Sequence, residues 1–397
     1  MNAERPMRLV PWPSGAQRGM SLIDILVGMV IGLIGMVVVL QSFSTFEAQK
    51  RSTTVSTDAQ ESGLMALTTI EREMRLAGYG MYYANQAICS SMRQWANVDV
   101  ETVPNLLPAA VTDGASDAPD TLTLTFSTSS FGATPSQIQV DFNGGIPEIV
   151  VDNTVNNKVF KIGDYLMVGK PSDPARPCVR LQVSGIRQDP YNPKMLALRI
   201  EPGSTAPANP PLDKLKVLLP TGGYTNDPDV AKASVVSNMA TMRRVTYSVL
   251  LDASRNGTLQ SRDITVGSDA VAIADGIVNM QVQYGVSTTA QTREVSSWVT
   301  ATGIWATPSA ADIGRIKALR IAVVARSQLK EKEAVTGVDM SCTNTSGSNS
   351  NGPCAWRDTT ASPAPTIDLS GDPDWQRYRY RVYETIVPLR NVMWQSF

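Results

Sequence analysis

The stretch RGMSLIDILVGMVIGLIGMVVVL, residues Arg18–Leu40, decides the architecture at the start of this chain. Residues Ile25–Leu40 carry no charge, and their number is near the lower limit of about 17 residues for a membrane-spanning helix. One carboxylate, Asp24, nevertheless stands among the first apolar residues. A charge at the centre of a span costs roughly 2.5–3.5 kcal/mol on insertion scales, and less near an end. An acid at this position therefore needs an explanation of its own.

Three interpretations of this segment compete. A cleaved secretory signal would be followed by small residues in an A-x-A pattern, whereas this run is followed by Gln-Ser-Phe-Ser-Thr-Phe. A plain membrane anchor fits the length but leaves Asp24 unexplained. The third interpretation starts from the order Arg-Gly, Met-Ser-Leu-Ile-Asp and an apolar helix, which resembles the prepilin signature of type IV pilins and of type II secretion pseudopilins.

The prepilin resemblance implies a processing site and a role for the acid. In that superfamily a prepilin peptidase cuts after the glycine, here Gly19, and the new N-terminal residue, here Met20, is methylated. The usual residues are Phe first and Glu fifth after the cut, so Met20 and Asp24 are mild departures. Asp24 would pair with the Met20 amine of a neighbouring subunit, an attraction of about 4 kcal/mol at ~4 Å and a dielectric of ~20 before desolvation is counted. Residues 1–19 would be the leader peptide.

A long helix is predicted beyond this segment. Residues 43–76 contain no proline, and Gly63 is their only glycine. Gly78-Tyr79-Gly80 supplies a stop signal. The sequence therefore predicts a helix over residues 20–78, with a membrane span at about 22–41 and an amphipathic second half. Its predicted apolar stripe contains Val55, Leu64, Leu67, Ile70, Met74 and Ala77.

Three glycines lie along one side of the predicted span: Gly28, Gly32 and Gly35. Small residues at this spacing permit close contact between helices in lipid. Glycine is also common in membrane helices for no such reason. Both interpretations stay open from the sequence.

Residues 79–397 change to a period-two pattern with many turn signals. The predicted strands are Thr121–Phe126, Gln137–Phe142, Tyr165–Gly169, Met195–Ile200, Ile277–Val286 and Ile316–Ser327, with a hairpin around Asn256-Gly257. Loop-rich breaks are expected at 201–211, 221–229 and 341–374. The fold class is therefore α+β: a long N-terminal helix on a large, mainly antiparallel β head, with a second sheet or inserted subdomain whose boundary the sequence does not place.

The last third of the chain narrows the resemblance. The segments DGIVNMQVQYGV, DIGRIKALRIAVVARS and WQRYRYRVYETIVPLRNVMW are similar to the PilW family of minor pilins of Gram-negative bacteria. That resemblance implies a minor pilin near the pilus tip that helps to initiate polymerisation of the major pilin. Its expected partners are the prepilin peptidase, other minor pilins, the major pilin, a large tip adhesin and the inner membrane. The head would be periplasmic before assembly and would lie on the pilus afterwards. The alternatives are a type II secretion pseudopilin and a membrane-anchored tip adhesin.

Composition excludes several other functions. A net charge of −1 argues against nucleic acid as the main partner. The chain has no histidine, which removes histidine-dependent triads and histidine-ligated metals. No nucleotide-binding or metalloprotease motif is present, and the acid-containing turns lack the spacing of a calcium loop. We therefore expect no catalytic residues, no cofactor and no metal, and hence no enzyme.

The remaining candidate sites are the four cysteines, which could form disulfides, and one basic strand near the end of the chain. Two disulfides are expected outside the cytosol, with three possible connectivities. The short polar loop between Cys342 and Cys354 favours that pair, and Cys89 would then pair with Cys178. The alternation of arginine and tyrosine from Arg377 favours an amphipathic strand ended by Pro388 over a nucleic-acid surface. Its predicted exposed face carries Arg377, Arg379 and Arg381. Its predicted buried face carries Tyr378, Tyr380, Val382 and Ile386.

Overall fold

The structure is a computed structural model of the chain. It describes residues 21–83, 86–96, 98–115, 118–130, 135–152, 159–189, 192–229, 231–337, 351–360 and 362–393, without the side chains of 48, 49 and 51–56. The chain divides into two compact units, Met1–Thr54 and Val55–Phe397, each of which is described by itself. Helix α1 (Leu22–Met74) contributes to both units.

The second unit is built mostly from short strands. The strands of its first half are β1 (Tyr82–Tyr83), β2 (Gln86–Ala87), β3 (Met92–Ala96), β4 (Asp99–Val103), β5 (Ala109–Thr112), β6 (Thr121–Phe126), β7 (Ser136–Gln137), β8 (Glu148–Asp152), β9 (Tyr165–Gly169), β10 (Cys178–Gln182), β11 (Gly185–Gln188) and β12 (Met195–Arg199). The later strands are β13 (Val235–Ala240), β14 (Arg243–Leu251), β15 (Gly257–Asp263), β16 (Val271–Asp275), β17 (Ile277–Val286), β18 (Ser297–Val299), β19 (Ile316–Arg326) and β20 (Tyr380–Pro388). Short helices are α2 (Leu215–Leu218), α3 (Ala310–Ile313) and α4 (Arg390–Met393).

These strands form several sheets, as the predicted α+β class requires. The largest has the order β4-β3-β10-β9-β13-β7, and a second has the order β16-β15-β14-β6-β5. A third has the order β18-β17-β19-β20, and smaller sheets are β11-β12-β8 and β1-β2. Within the described residues the strand pairs are antiparallel, apart from the parallel pair of β3 with β10. The prediction of a mainly antiparallel β head is confirmed.

The second half of α1 packs into the main core of the second unit. Its buried residues recur three or four apart, which gives the helix one face directed to the core. They are Ala59, Gly63, Ala66, Leu67, Ile70, Glu73 and Met74. Leu64 was predicted in this stripe but is 51% exposed, because the small residues Ala59 and Gly63 occupy the contacting face instead. The helix also ends earlier than predicted, since residues 75–80 form turns with Gly78 and Gly80 at positive φ.

A second hydrophobic cluster is formed by residues from the middle of the chain. Its buried members all fall between residues 138 and 236, and include Phe142, Leu181 and Tyr224. They come from the strands between β6 and β14 and from α2. The middle of the chain therefore forms a hydrophobic cluster of its own, while Met167, Cys178 and Val235 of the same region belong to the main core.

Two sequence predictions about strands need correction. Residues 137–142 were predicted to form one strand, but β7 ends at Gln137 and only isolated bridges follow, at Ile138 and Phe142. Ile386 was predicted to be buried but is 59% exposed. β20 is an edge strand, and the small cluster that covers Tyr380 and Val382 does not reach this residue.

The predicted hairpin is present, but its turn is longer than an Asn-Gly pair implies. β14 pairs with β15 from Leu251↔Gly257, which leaves Asp252–Asn256 in the loop. Arg255 takes the positive φ in this loop, at 59°. Gly257 is needed for a different reason, which is that the backbone of Ile277 approaches it closely. A Cβ added at position 257 would lie under 3.0 Å from the carbonyl group of Ile277.

Candidate functional site

The first unit presents an apolar helical segment of membrane-spanning length. Within the described residues, Leu22–Glu47 is the one part of a helix long and apolar enough to cross a membrane, with a mean hydropathy of 2.8. At 1.5 Å per residue it is about 39 Å long, against a hydrocarbon core of ~30 Å. None of its apolar window is buried within the chain. The segment therefore has no protein core to occupy in the monomer.

Asp24 caps the start of this helix. Ser21 precedes the helix, and its Oγ accepts a hydrogen bond from the Ile23 backbone N–H at 3.3 Å. The Asp24 carboxylate accepts from the Ser21 backbone N–H, also at 3.3 Å. This reciprocal pattern is a capping box, which the pattern Ser-x-x-Asp could have predicted. The predicted processing residues Gly19 and Met20 lie outside the described residues.

The three glycines of the apolar segment have no neighbours within the chain. A Cβ added at Gly28, Gly32 or Gly35 would meet nothing within 4 Å. No contact within the described residues therefore requires a glycine at any of these three positions. Because glycine has no side chain, another helix could approach this side of the segment closely.

In the second unit, the helix contacts the C-terminal strand through a glycine. A Cβ added at Gly63 would lie under 3.0 Å from the Cδ2 and Cε2 atoms of Tyr383 in β20. The aromatic ring of Tyr383 therefore occupies the space that any other residue at position 63 would fill. This contact joins a helix residue to the C-terminal segment whose resemblance suggested a minor pilin.

Polar contacts fix the end of α1 to the sheets. The buried carboxylate of Glu73 accepts a hydrogen bond from the Tyr247 hydroxyl at 2.8 Å and lies 3.8 Å from the Arg243 guanidinium. The Asn391 side-chain amide donates to the carbonyl oxygens of Leu76, at 3.3 Å, and Ala77, at 3.0 Å. Residues of β14 and Asn391 of α4 therefore hold the end of α1 and the turn that follows it.

A disulfide joins Cys89 to Cys178 at the start of β10, with a Cα–Cα distance of 5.6 Å. This pairing was predicted and is confirmed. It closes a loop with a sequence separation of 89, which the chain-entropy account values at about 4.5 kcal/mol. Cys354 is also disulfide-bonded, while its predicted partner Cys342 lies outside the described residues.

One buried carboxyl group links two sheets. Asp120 precedes β6 and is 2% exposed. Its carboxylate oxygens accept hydrogen bonds from the backbone N–H groups of Gly114, at 2.9 Å, and Val282 in β17, at 2.7 Å. Burial nevertheless raises the pKa of Asp120 to about 7, because the charged form loses its hydration. No signal in the sequence around Asp120 indicates this burial.

Residues 355–360 and 362–369 cover the outer face of β17 and β19. Ala355 and Ile367 pack on Val278, Ala322 and Val324. The guanidinium of Arg320 lies between aromatic rings, 5.0 Å from that of Trp298 and 4.0 Å from that of Trp356. The segment predicted as a loop is thus attached to the sheet by specific contacts.

The basic strand is only partly as predicted. Arg377 lies in a short 3₁₀ helix before β20, so it is not on the strand. Arg379 pairs with Glu331 at 2.9 Å. Tyr380 and Val382 are half-buried against the outer cluster. Tyr383 and Val387, on the opposite face, pack towards the main core, so β20 is covered on both faces.

No group of three or more potential metal ligands occurs among the residues that the structure describes. The acid-containing turns are occupied by local contacts. Asp229 pairs with Lys232 at 3.0 Å, and Asp374 pairs with Lys330. The Asp368 carboxylate accepts from the Ser370 backbone N–H at 2.8 Å. These acids stabilise turns of the chain.

The class of protein defined by these features is α+β, with an N-terminal apolar helix of membrane-spanning length and a large, mostly antiparallel β region. Residues 236–391 match the family model of PilW, the type IV pilus-assembly protein W. The match runs from β13 to α4 and covers less than half of the chain. Searches of curated proteins and of solved structures found no match. The matched part includes Tyr247, Tyr383 and Asn391, which contact α1.

Proposed function

We propose that this protein is a minor pilin that takes part in initiating type IV pilus assembly, near the pilus tip. The observation that carries the proposal is the match of residues 236–391 to type IV pilus-assembly protein W. It is supported by the apolar helical segment Leu22–Glu47, which has the length of a membrane span and no buried surface. A prepilin peptidase would cut after Gly19, and Met20 would be methylated.

The apolar segment would lie first in the inner membrane and later in the pilus filament. In the inner membrane its side chains would contact lipid, so their exposure within the chain costs nothing there. In a filament the same side chains would pack against the helices of other subunits. Gly28, Gly32 and Gly35 would let those helices approach closely. Other minor pilins and the major pilin are therefore the expected partners.

Asp24 would act after cleavage, because cutting behind Gly19 creates a cationic amine on Met20. Its carboxylate already points back along the chain, since it accepts from the Ser21 N–H. In the assembled pilus it would neutralise the Met20 amine of a neighbouring subunit. Leaving that amine unpaired among apolar side chains would cost several kcal/mol. The charge of Asp24 should therefore affect assembly more than membrane insertion.

The test is piliation of cells that carry variants at this position. Asp24→Asn removes the charge but keeps an oxygen that can cap Ser21, and Asp24→Glu keeps the charge. Ser21→Ala is the matched control, because it removes the Oγ cap on Ile23 and leaves the carboxylate. We expect normal membrane fractions for all three variants and a loss of surface pili for Asp24→Asn alone.

The outcomes separate the two roles of this acid. Normal numbers of pili with Asp24→Asn would contradict the pairing of charges between subunits. Loss of pili with Ser21→Ala but not with Asp24→Asn would mean that helix capping is the role that matters. A chain that is absent from the membrane fraction would place the defect in insertion.

A type II secretion pseudopilin is the nearest alternative, since it shares the prepilin signature. The family match of residues 236–391 favours the pilus. Deletion of the gene distinguishes the two, because a minor pilin is needed for surface pili and a pseudopilin for secretion of folded proteins. A membrane-anchored tip adhesin is distinguished by pili that assemble normally but lose attachment.

A further inference from the structure

Strand β20 lies at one edge of its sheet, because β19 is its one neighbour in the order β18-β17-β19-β20. It pairs with β19 from Ala318↔Pro388 to Arg326↔Tyr380 without a register shift. With nine residues it is the longest of the strands at the sheet edges that the structure describes. A long edge strand without a bulge is a template on which another strand can pair.

Two hydrogen bonds show which backbone groups of β20 face away from β19. Just after the strand, the Leu389 N–H donates to the Lys317 carbonyl oxygen at 2.8 Å. Just before it, the Arg379 carbonyl oxygen accepts from the Ser327 N–H at 2.8 Å. Hydrogen-bonded and non-hydrogen-bonded residues alternate in an antiparallel pair, so the odd-numbered residues bond to β19 and the even-numbered residues direct their N–H and C=O groups away from it. The latter are Tyr380, Val382, Glu384 and Ile386.

The unpaired edge of β20, residues 380–386, has no backbone partner within the described part of the chain. No hydrogen bond there joins the backbone of its even-numbered residues to another element. Glu384 is exposed, and Ile386 is 59% exposed. Pro388, which has no N–H, ends this row of donors. Donors and acceptors that repeat at the spacing of a strand are matched by an extended peptide, which adds to a sheet edge as a further strand.

The side chains on the outer face of this edge define the chemistry of a partner. Val382, Glu384 and Ile386 share that face, because side chains alternate along a strand. The Glu384 carboxylate accepts from the Trp356 backbone N–H at 2.6 Å, and the residue opposite Glu384 in β19 is Ala322. No basic side chain of β19 is therefore opposite this acid. A strand on the other side would be best matched with a basic residue opposite Glu384 and apolar residues opposite Val382 and Ile386.

The described residues of this chain do not supply such a strand. If two β20 strands paired antiparallel, the residue opposite Glu384 would be one of the even-numbered residues, none of which is basic. At the other described sheet edges, a basic residue occurs only at Arg187 in β11, and it pairs with Glu148 at 2.7 Å. The charge of the edge therefore favours a strand from a different protein.

We propose that β20 accepts an antiparallel strand from another protein, with apolar, basic and apolar side chains at alternate positions opposite Val382, Glu384 and Ile386. The pairing would satisfy the outward N–H and C=O groups and would cover the exposed side chain of Ile386. In a pilus a neighbouring subunit would supply this strand, a step that rests on the proposed function.

Fluorescence anisotropy with labelled peptides, on the full chain in a non-ionic detergent, tests this edge. The probe is the peptide Thr-Val-Thr-Lys-Thr-Val-Thr, and a second peptide has glutamate in place of lysine. We expect saturable binding of the lysine peptide and about two- to fivefold weaker binding of the glutamate peptide, because exposed cross-strand charge pairs contribute modestly. Glu384→Lys should reverse this preference.

Two further variants separate the backbone from the side chain. Glu384→Pro and Glu384→Ala both remove the carboxylate, but only proline removes the N–H, which faces away from β19, so that the pairing with β19 is kept. Glu384→Pro should bind the lysine peptide about fivefold more weakly than Glu384→Ala, because one backbone hydrogen bond is lost.

A matched pair of variants tests the apolar contact and keeps the test open if Glu384→Pro fails to fold. Ile386→Ser should weaken the binding of both peptides. Val271→Ser is the control, because Val271 is 61% exposed on the edge strand β16, and it should leave binding unchanged. Equal losses with Ile386→Ser and Val271→Ser would contradict binding at β20.

Other results would also overturn the proposal. Anisotropy that does not saturate with the lysine peptide would do so, as would equal binding by folded Glu384→Pro and Glu384→Ala. A dimer in light scattering that Glu384→Pro abolishes would mean that a second copy of this chain occupies the edge, which also contradicts a different partner. Peptide binding in detergent does not require pilus assembly, so this test and the piliation test of the proposed function can fail separately.

Discussion

The contact between Gly63 and Tyr383 predicts that one substitution has opposite effects in two backgrounds. Gly63→Ala should stabilise an isolated helix by about 0.8–1 kcal/mol, because alanine loses less backbone freedom on folding. In this chain the new Cβ would lie under 3.0 Å from two ring atoms of Tyr383. Forcing the ring aside costs about 1–3 kcal/mol, as overpacking of a core does. The net result in the wild-type background is a change between neutral and about 2 kcal/mol destabilising.

Removing the ring should reverse the sign. In a Tyr383→Ala background the added methyl group meets no aromatic ring, so Gly63→Ala should stabilise by about 1 kcal/mol. The coupling energy between the two positions is therefore about 1–3 kcal/mol. Leu64→Ala is the control, because Leu64 is on the same helix but 51% exposed and should show no coupling to Tyr383.

Urea unfolding in a non-ionic detergent, followed by tryptophan fluorescence, gives the four free energies of the cycle. Apart from Trp12, every tryptophan lies in the second unit, so in a chain that begins at Met20 the fluorescence reports on that unit. Additive effects, with a coupling below about 0.5 kcal/mol, would refute the inference that Tyr383 fills the space above Gly63.

Two substitutions and one disulfide measurement test further predictions for the second unit. Asn391→Ala should lower the free energy of unfolding by about 0.5–1.5 kcal/mol in the same assay, because the Leu76 and Ala77 carbonyls lose their donor. An unchanged urea midpoint would contradict this. For Asp120, the folded-state pKa of about 7 against an ordinary value of 3.8 means that its stabilising contribution is complete below pH 3.8. That contribution is lost as pH rises through about 7, so Asp120→Asn should flatten this part of a plot of melting temperature against pH. An identical pH profile would exclude a raised pKa. Finally, mass spectrometry of the unreduced protein should find the peptides of Cys342 and Cys354 linked, and free thiols at both would rule that pair out.

The sequence predicted the elements that depend on local pattern. The strands Thr121–Phe126, Tyr165–Gly169 and Ile277–Val286 occur with the predicted bounds, because regular alternation or a continuous apolar run marks them. Residues 137–142 show the same pattern, but beyond Gln137 they pair only at isolated bridges. A strand needs a neighbour along its whole length, and the sequence of one segment does not reveal where its neighbour ends.

The contacts that hold α1 could not be predicted, because they join residues far apart in sequence. The only signal for Gly63 was that a glycine interrupts a helical pattern, which carries no information about Tyr383. The hydrogen bond between Glu73 and Tyr247 likewise spans 174 positions. The capping box of Ser21 and Asp24 is different, since its spacing is local and the sequence contained it.

The mature N-terminus tests the central claim, which is that this chain is a processed pilin, most directly. The protein should be isolated from the membranes and from the sheared pili of cells that carry its gene, and its N-terminal peptide identified by mass spectrometry. We predict a peptide that begins at Met20 and carries one methyl group on its amine, in both fractions. A chain in those fractions that begins at Met1, or at any residue other than Met20, would contradict the account.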